Sequence, residues 1–288
     1  MWDAFLHYEF MRYAVYAGLL AAVACGVIGV YVVVKRIVFI SGGIAHASFG
    51  GIGLGYLLDM SPVLGAMIFS VASALGIGLV TRRTRLPEDT SIGIIWASGM
   101  AMGIIFIHYT EGYTVDPITY IFGNILLVST SDLILMGVLD ALILVVVLAL
   151  YKELLAVSFD EEFGTVVGVP VELLYYLLLC LIAFTVVVLI RAVGVILVIA
   201  YLTIPAALAR QFTNSLSKMM VLATGLGVVF TIGGLWISYE TDVPSGATIV
   251  LFSVAVLLAY VAYARLRGRA VGVGRARKVS ASPGEVRH

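Results

Sequence analysis

Long apolar segments alternate with short polar connections along most of the chain. Nine segments consist almost entirely of hydrophobic residues and approach the roughly 20 residues that cross about 30 Å of hydrocarbon. By residue number they are 11–34, 37–58, 62–81, 91–108, 133–151, 172–190, 193–210, 218–238 and 245–264. Because helices satisfy their own backbone hydrogen bonds inside a bilayer, the pattern predicts an all-α polytopic transmembrane helical bundle of about eight or nine spans.

The connection at 113–131 predicts a further structured segment. It is too short to cross the bilayer in full, and Pro117, Gly123 and Asn124 interrupt it. We therefore expect a re-entrant or interfacial helix there.

The connection at 158–170, SFDEEFGTVVGVP, predicts a short amphipathic helix. It carries three successive acids and an apolar patch at helical spacing: Asp160, Glu161 and Glu162, then Phe163, Val166 and Val167. Gly164 follows Phe163 within the apolar group, and Gly168 followed by Pro170 ends the helix. Either this is a solvated loop helix, or its apolar side docks onto a partner protein, since little else would cover it.

Basic residues predict the orientation in the plasma membrane. They lie in, or at the edges of, every second connection between the apolar segments: Lys35, Arg36, Arg82, Arg83, Arg85, Lys152, Arg210 and Lys218. The positive-inside rule then places the N-terminus outside and the C-terminus in the cytoplasm. Acids prevail on the other side, and Glu240 and Asp242 lie there in the last connection. They are candidates to receive a cation at an outer mouth, or they solvate a loop.

Composition excludes a soluble protein. Hydrophobic residues make up 62% of the 288 residues and charged residues 12%, against about 25% in soluble domains. Residues 1–265 form the predicted membrane domain, in contact with lipid, and 266–288 form a basic cytoplasmic tail without predicted order. Cys25 and Cys180 fall in apolar segments, which indicates buried thiols rather than a disulfide. No nucleic-acid partner is expected.

The stretch from Ile37 to Leu58, IVFISGGIAHASFGGIGLGYLL, carries the clearest candidate chemistry. Small residues recur at i, i+4 spacing, which lets transmembrane helices approach closely: Gly43, Ala47, Gly51 and Gly55. His46 lies on the adjacent face, near the middle of the span, with Gly42 and Gly50 one turn to either side. We expect these glycines to leave the imidazole facing a crevice. His46 either hydrogen-bonds a neighbouring helix or is a ligand for a passing divalent ion.

Six separated motifs, in order over about residues 10 to 265, resemble the permease subunits of zinc, manganese and iron ABC importers. They are KRIVFISGGIAHASFGGIGLGYLL, PEDTSIGIIWASGMAMGIIFI, VDPITYIFGNILLVSTSDLI, FDEEFGTVVGVPVELL, RAVGVILVIAYLTIPAALAR and DVPSGATIVLFSVAVLL. The resemblance implies a type II importer fold and a transport subunit rather than an enzyme. It also implies a second permease copy, cytoplasmic ATPase subunits and an extracytoplasmic metal-binding protein. FDEEFGTVVGVP would then be the coupling helix that contacts the ATPase.

The absence of a G-x-x-x-x-G-K-[ST] phosphate loop agrees with ATP being bound only by a partner. We expect no permanently bound cofactor, and a divalent metal ion, zinc or manganese, as the cargo. Many relatives carry Asp four residues before the histidine, where this chain has Gly42. Asp140, well inside the fifth span, is a candidate replacement, although a structural hydrogen bond would also explain it.

Pro205, inside the seventh span, frees a backbone carbonyl and predicts a kink that fits a gating helix.

Other interpretations remain open, namely a type II permease for a metal chelate and a secondary cation transporter. A secondary transporter would show paired halves with matching broken helices, and no clear internal repeat is present. An intramembrane metalloenzyme would need ligands at motif spacing such as H-E-x-x-H, which the sequence lacks.

Overall fold

The computed structural model describes residues 2–110 and 118–267, which are almost entirely helical and contain no β-strand. In chain order the elements are α1 (Trp2–His7), α2 (Glu9–Lys35), α3 (Val38–Leu57), α4 (Pro62–Arg83), α5 (Glu88–Tyr109), α6 (Ile118–Phe122), a 3₁₀ helix (Ile125–Leu127), α7 (Thr130–Ala149), α8 (Tyr151–Phe159), α9 (Glu161–Val166), α10 (Val171–Val193), α11 (Val198–Ala209), α12 (Leu216–Thr241) and α13 (Ser245–Leu266). Within the described ranges, eight helices are long and apolar enough to cross a membrane: α2, α3, α4, α5, α7, α10, α12 and α13. The predicted all-α membrane bundle is confirmed.

The seventh predicted span, 193–210, is not one continuous helix. α11 covers only 12 residues, because the chain leaves α10 at Gly194 and turns before α11 begins. Gly194 has φ +80°, a left-handed conformation that glycine adopts without strain. Immediately after it, the Val195 amide donates a hydrogen bond to the Tyr120 carbonyl oxygen at 3.1 Å. The break therefore ties this span to the α6 segment, and a turn followed by a short helix replaces a full-length helix.

The connection between α5 and α7 contains the expected short helical segment. Residues 113–117 of the predicted stretch 113–131 lie outside the described residues, and the part that follows forms α6 and the 3₁₀ helix. Gly123, with φ +69°, lies so close to Gly194 that neither position has space for a Cβ atom. Gly246, at the start of α13, packs against the same segment. These contacts hold the segment at the ends of α10 and α13.

The two ends of the bundle differ in charge. We call the end that carries α9 the α9 end and the opposite one the α6 end. The basic residues that predicted the orientation lie at the α9 end, in or beside the helix termini that meet there: Lys35, Arg36, Arg82, Arg83, Arg85, Lys152, Arg210 and Lys218. There Arg210 Nη1 donates a hydrogen bond to the Val33 carbonyl oxygen at 3.1 Å. The structure thus groups these basic residues as the sequence predicted.

The structure adds two short helices that the sequence did not indicate. α1 precedes the first span, and α8 continues from α7 after a change of direction at Leu150. α8 buries Leu154 and Val157, so it is a packed helix rather than a loop. At the other end of the chain α13 ends at Leu266, and the predicted basic tail from residue 268 onward lies outside the described residues.

α3 lies at backbone contact distance from α4 and α5, which explains its glycine content. A Cβ atom at Gly50 would lie 2.7 Å from the Gly99 carbonyl oxygen of α5, and one at Gly53 would lie 2.9 Å from the Gly103 Cα. On the other side, Gly51 of α3 and Gly65 of α4 each occupy the space a side chain would need. Small residues thus allow three helices to pack without intervening side chains.

Candidate functional site

His46 lies buried in the middle of α3 and is only 9% exposed. Its imidazole stacks on the indole ring of Trp96 from α5, with ring centroids 4.0 Å apart and planes 13° from parallel. The Nδ1 atom is buried and has no hydrogen-bond partner among the described residues. Since buried polar atoms are nearly always paired, this nitrogen is the most distinctive polar feature of α3.

The two glycines that flank His46 do not open onto a crevice within this chain. A Cβ atom at Gly42 would overlap Ile199 Cδ1 of α11. At Gly50 a Cβ atom would lie 2.7 Å from Phe69 Cε1 of α4. Aliphatic and aromatic side chains therefore close the space that the sequence suggested was open. Trp96 is itself only partly buried, so its indole ring lies between His46 and the surface of this chain.

Asp140 does not join His46. α7, which carries Asp140, packs mainly against α2 and α10, whereas α3 packs mainly against α4 and α5. The aspartate faces α2, where Cys25 is within range of its charge. Both carboxylate oxygens are buried without a hydrogen-bond partner among the described residues. The packing therefore does not favour Asp140 as a replacement, within one chain, for the acid missing at Gly42, because depth in the membrane did not reveal which helix it would face.

No group of three or more His, Cys, Asp or Glu side chains in the described parts of the chain is placed to hold a metal ion. His46 is consequently not part of a set of three or more such ligands among the described residues. A pathway that passes an ion onward needs weak binding, and a lone nitrogen ligand is compatible with that requirement.

A second site lies at the α9 end, where α9 presents an apolar surface. The Asp160 side chain accepts a hydrogen bond from the Phe163 amide at 2.9 Å and so caps the helix. Gly164 faces inward, with its Cβ position 3.1 Å from Val171 Cγ2 of α10. Phe163 is 59% and Val166 86% exposed, and Val167 beside them is also exposed. We call Phe163, Val166 and Val167 the α9 patch.

Gly168 ends the α9 segment, and the three acids at its start have three different environments. Gly168 has φ +85° and ends the segment in the left-handed conformation, as the sequence indicated. Glu162 is exposed, and Asp160 is the cap. Glu161 instead points inward, to Lys35 at 2.9 Å and Arg82 at 3.1 Å. Partial burial raises the pKa of Glu161, but the hydrogen bond and charge of Lys35, together with Arg82, outweigh it, so the pKa lies below its usual value.

At the α6 end, the two acids proposed for an outer mouth, Glu240 and Asp242, differ from Asp132 in their environment. Glu240 and Asp242 are exposed where α12 ends, and Asp242 has φ +54°. Asp132, at the start of α7, forms an ion pair with Arg191 at 2.7 Å, so the charge of its carboxylate is compensated.

Pro205 is buried in α11, which continues through it, and the irregular backbone lies nearer the α6 end, at Gly194.

Four residues with clear roles in these sites were not singled out from the sequence for those roles: Trp96, Ile199, Lys35 and Arg82. Lys35 and Arg82 counted only as orientation signals, and their common partner Glu161 lies more than 75 residues away from both. Trp96 and Ile199 carry no local pattern that would mark them as neighbours of α3. Only the packing of distant helices reveals these contacts.

The eight candidate membrane spans, with buried polar side chains at depth, define an integral membrane protein. Comparison with known proteins gives its family. The family model described as the ABC 3 transport family matches residues 7–264, so the chain belongs to that family of ABC transporter permeases. The predicted resemblance to metal ABC permeases is confirmed.

Individual relatives cover almost the whole chain. An uncharacterized membrane protein of Synechocystis sp. is 48% identical over 260 residues, with 90% of this chain and 92% of the relative covered. The manganese transport system membrane protein MntC of Listeria monocytogenes is 36% identical over 261 residues, with 91% and 92% covered. The solved structure of PsaBC from Streptococcus pneumoniae in complex with Fab has a TM-score of 0.82 at 30% identity, with 92% of this chain and 98% of that chain covered.

Proposed function

We propose that this chain is the membrane permease of an importer that moves a divalent transition-metal ion into the cytoplasm, driven by a separate ATPase subunit. The observation that carries the proposal is His46, a buried imidazole with an unpartnered Nδ1 atom in the most closely packed helix of a metal ABC permease. Neutral imidazole is a common ligand for such ions. We assign His46 as the side chain that the ion contacts in passage.

Manganese is the first candidate cargo, because a relative that is 36% identical over nine-tenths of this chain is named as a manganese transport protein. Zinc is the second. It is favoured by the chemistry of the site, since an imidazole without a neighbouring carboxylate suits zinc better than manganese, which prefers oxygen ligands. The same importer uses an extracytoplasmic metal-binding protein at the α6 end, near Glu240 and Asp242.

A second copy of the permease would complete the pathway. Gly93, Ala97 and Ala101 of α5 follow one another at i, i+4 spacing and are all exposed. Such a surface favours close helix pairing in a membrane. Trp96 belongs to the same stretch of α5 and stacks on His46. Two copies paired along α5 would bring two histidines towards a common axis, each behind its Trp96 ring.

The α9 end lies in the cytoplasm in this proposal, because the basic residues gather there. The α9 patch then faces the ATPase, which supplies the apolar cleft that exposed Phe163 and Val166 lack in the permease alone. ATP binding and hydrolysis belong to that partner.

The test is metal uptake by proteoliposomes that contain the permease with the ATPase and metal-binding protein of the same genome. Manganese and zinc chlorides are supplied separately, and the accumulated metal is measured with and without ATP. We expect ATP-dependent uptake of manganese above that of zinc, and at least a tenfold loss in His46→Ala, equivalent to about 1.4 kcal/mol or more.

His108→Ala is the matched control, because His108 is an exposed histidine at the end of α5. Thermal unfolding of each purified variant separates a lost ligand from a lost fold. Full uptake by a correctly folded His46→Ala variant would exclude the histidine from the pathway. Absence of ATP-dependent uptake of either metal by the unaltered protein would refute the import function itself.

A further inference from the structure

α9 is attached to the bundle by charge as well as by its chain connections. Glu161, its first residue, divides its two carboxylate oxygens between two partners. Oε1 accepts a hydrogen bond from Lys35 Nζ at 2.9 Å, and Oε2 accepts one from Arg82 Nη2 at 3.1 Å. Lys35 Nζ also donates to the Val157 carbonyl oxygen of α8 at 2.9 Å. We call Lys35, Arg82 and Glu161 the α9 clamp.

Because the Lys35 side chain is buried, its positive charge needs the negative charge of Glu161 to compensate it. The Lys35 side chain is only 8% exposed, whereas the side chains of Arg82 and Glu161 are 28% and 42% exposed. A charged ammonium group removed from water is costly unless an opposite charge compensates it. Arg82 has an additional contact, with its guanidinium carbon 4.1 Å from the centroid of the Tyr175 ring. Glu161 therefore compensates the more deeply buried of the two cations.

The two cations belong to different groups of packed helices. Lys35 is the last residue of α2, which packs most extensively against α12 and α11. Arg82 is in the last turn of α4, which packs most extensively against α3, the helix that carries His46. One carboxylate thus joins the start of α9 to the ends of both groups.

We propose that Glu161 is a positioning residue that transmits the movement of α9 to α2 and α4 together, and so couples ATP hydrolysis to the passage of metal. This inference rests on the proposed function, in which the α9 patch contacts the ATPase. Phe163 and Val166 receive the displacement on the exposed side of α9, and Glu161 passes it to the spans on the other side. Glu162, one residue along and exposed, has no such role.

The experiment measures ATP hydrolysis and metal uptake in the same proteoliposomes, using manganese chloride, and reports metal carried per ATP hydrolysed. Glu161→Gln removes the charge but retains the length of the side chain. We expect it to lower this ratio about tenfold or more, because it removes the ion-pair partner of the buried Lys35 side chain and leaves the Val157 carbonyl oxygen as its hydrogen-bond acceptor. Glu153→Gln is the matched control, because Glu153 is an acid of the neighbouring helix α8 and lies outside α9, and its ratio should equal that of the unaltered protein.

A second variant separates coupling from folding. Lys35→Met with Glu161→Gln removes both charges, so no buried charge is left alone and the thermal stability should return towards that of the unaltered protein. The link from α9 to α2 is still missing, so the ratio of metal to ATP should stay low. A purely structural role predicts that this ratio recovers with the stability.

The outcomes distinguish the two proposals. Recovery of the ratio in the double variant, or an unchanged ratio in Glu161→Gln, overturns the role of the clamp while ATP-driven uptake by the unaltered protein stands. Loss of uptake in the unaltered protein overturns the import function and the clamp with it.

Discussion

The contact between Gly42 and Ile199 allows a sharp test of why this chain lacks an acid one turn from His46. A Cβ atom at Gly42 would overlap Ile199 Cδ1 and lie 2.8 Å from its Cγ1. Ile199 is β-branched and helical, so its χ1 rotamer has little freedom to move away. Overpacking of this kind costs about 1 to 3 kcal/mol. We therefore expect Gly42→Ala alone to destabilise the protein by that amount.

When Ile199 is replaced by Ala, the overlapping atoms are gone, and the same substitution should be neutral or gain up to about 1 kcal/mol from the higher helix propensity of alanine. The double-mutant cycle would then show a coupling of about 1 to 3 kcal/mol. Gly137→Ala is the matched control, because a Cβ atom at Gly137 of α7 meets nothing within 4 Å. It should instead gain up to about 1 kcal/mol from the higher helix propensity of alanine.

The functional half of this test introduces the acid. Gly42→Asp in the Ile199→Ala background places a carboxylate one helical turn from His46, where the two side chains share a face. We expect this double variant to raise the ratio of manganese to zinc uptake above that of the unaltered protein, or to release metal more slowly, since oxygen ligands favour manganese. Unfolding of purified protein in detergent and uptake in proteoliposomes are the assays. Equal destabilisation by Gly42→Ala with and without Ile199 would refute the steric argument.

Two further predictions concern the α9 end. Phe163→Asp should bury a charge at the contact with the ATPase, and so abolish ATP-driven uptake while ATP hydrolysis persists. Leu58→Asp is the control, because Leu58 is an exposed apolar residue at the α6 end, and it should not uncouple the two activities. Unchanged uptake by Phe163→Asp vesicles would show that the α9 patch does not contact the ATPase. In a Cys180→Ser background, a cysteine introduced by Arg85→Cys should react with an impermeant maleimide only from the cytoplasm and one introduced by Met60→Cys only from outside, and labelling of both from one side would contradict the orientation.

The sequence predicted the long helices because hydrophobic length is a local property. Each apolar segment reports its own ability to cross the membrane, and so does the short amphipathic helix at 158–170. The sequence did not predict the break in the seventh span. Nothing local distinguishes Gly194 from the other glycines, and only its contact with Gly123 in the folded chain marks it as the position of the break. A prediction of helices from apolar length is therefore strongest where no distant segment competes for the backbone.

For the candidate sites, the sequence could not predict which residues would be in contact. The depth of His46 and Asp140 followed from their positions within spans, but their neighbours did not. His46 was expected to face a crevice, and it stacks on Trp96 from a helix whose rotation the sequence leaves undetermined. Glu161 was grouped with two other acids because they are adjacent in sequence, yet its partners are Lys35 and Arg82. The partners of a buried polar group depend on which helices pack together.

The glycine-lined contacts of α3 also restrict how the metal pathway can open. At Gly51 and Gly53 the backbone of α3 touches its neighbours directly, so no side chain is available to change rotamer and let the helix slide. α3, α4 and α5 must then move as one rigid body, and His46 with its Trp96 cover moves with them. If His46 lies on the proposed metal pathway, we expect opening to displace this three-helix block against the α2, α11 and α12 group, with α10 in contact with both. Access to the ion would thus alternate in a single step rather than by independent side-chain gates.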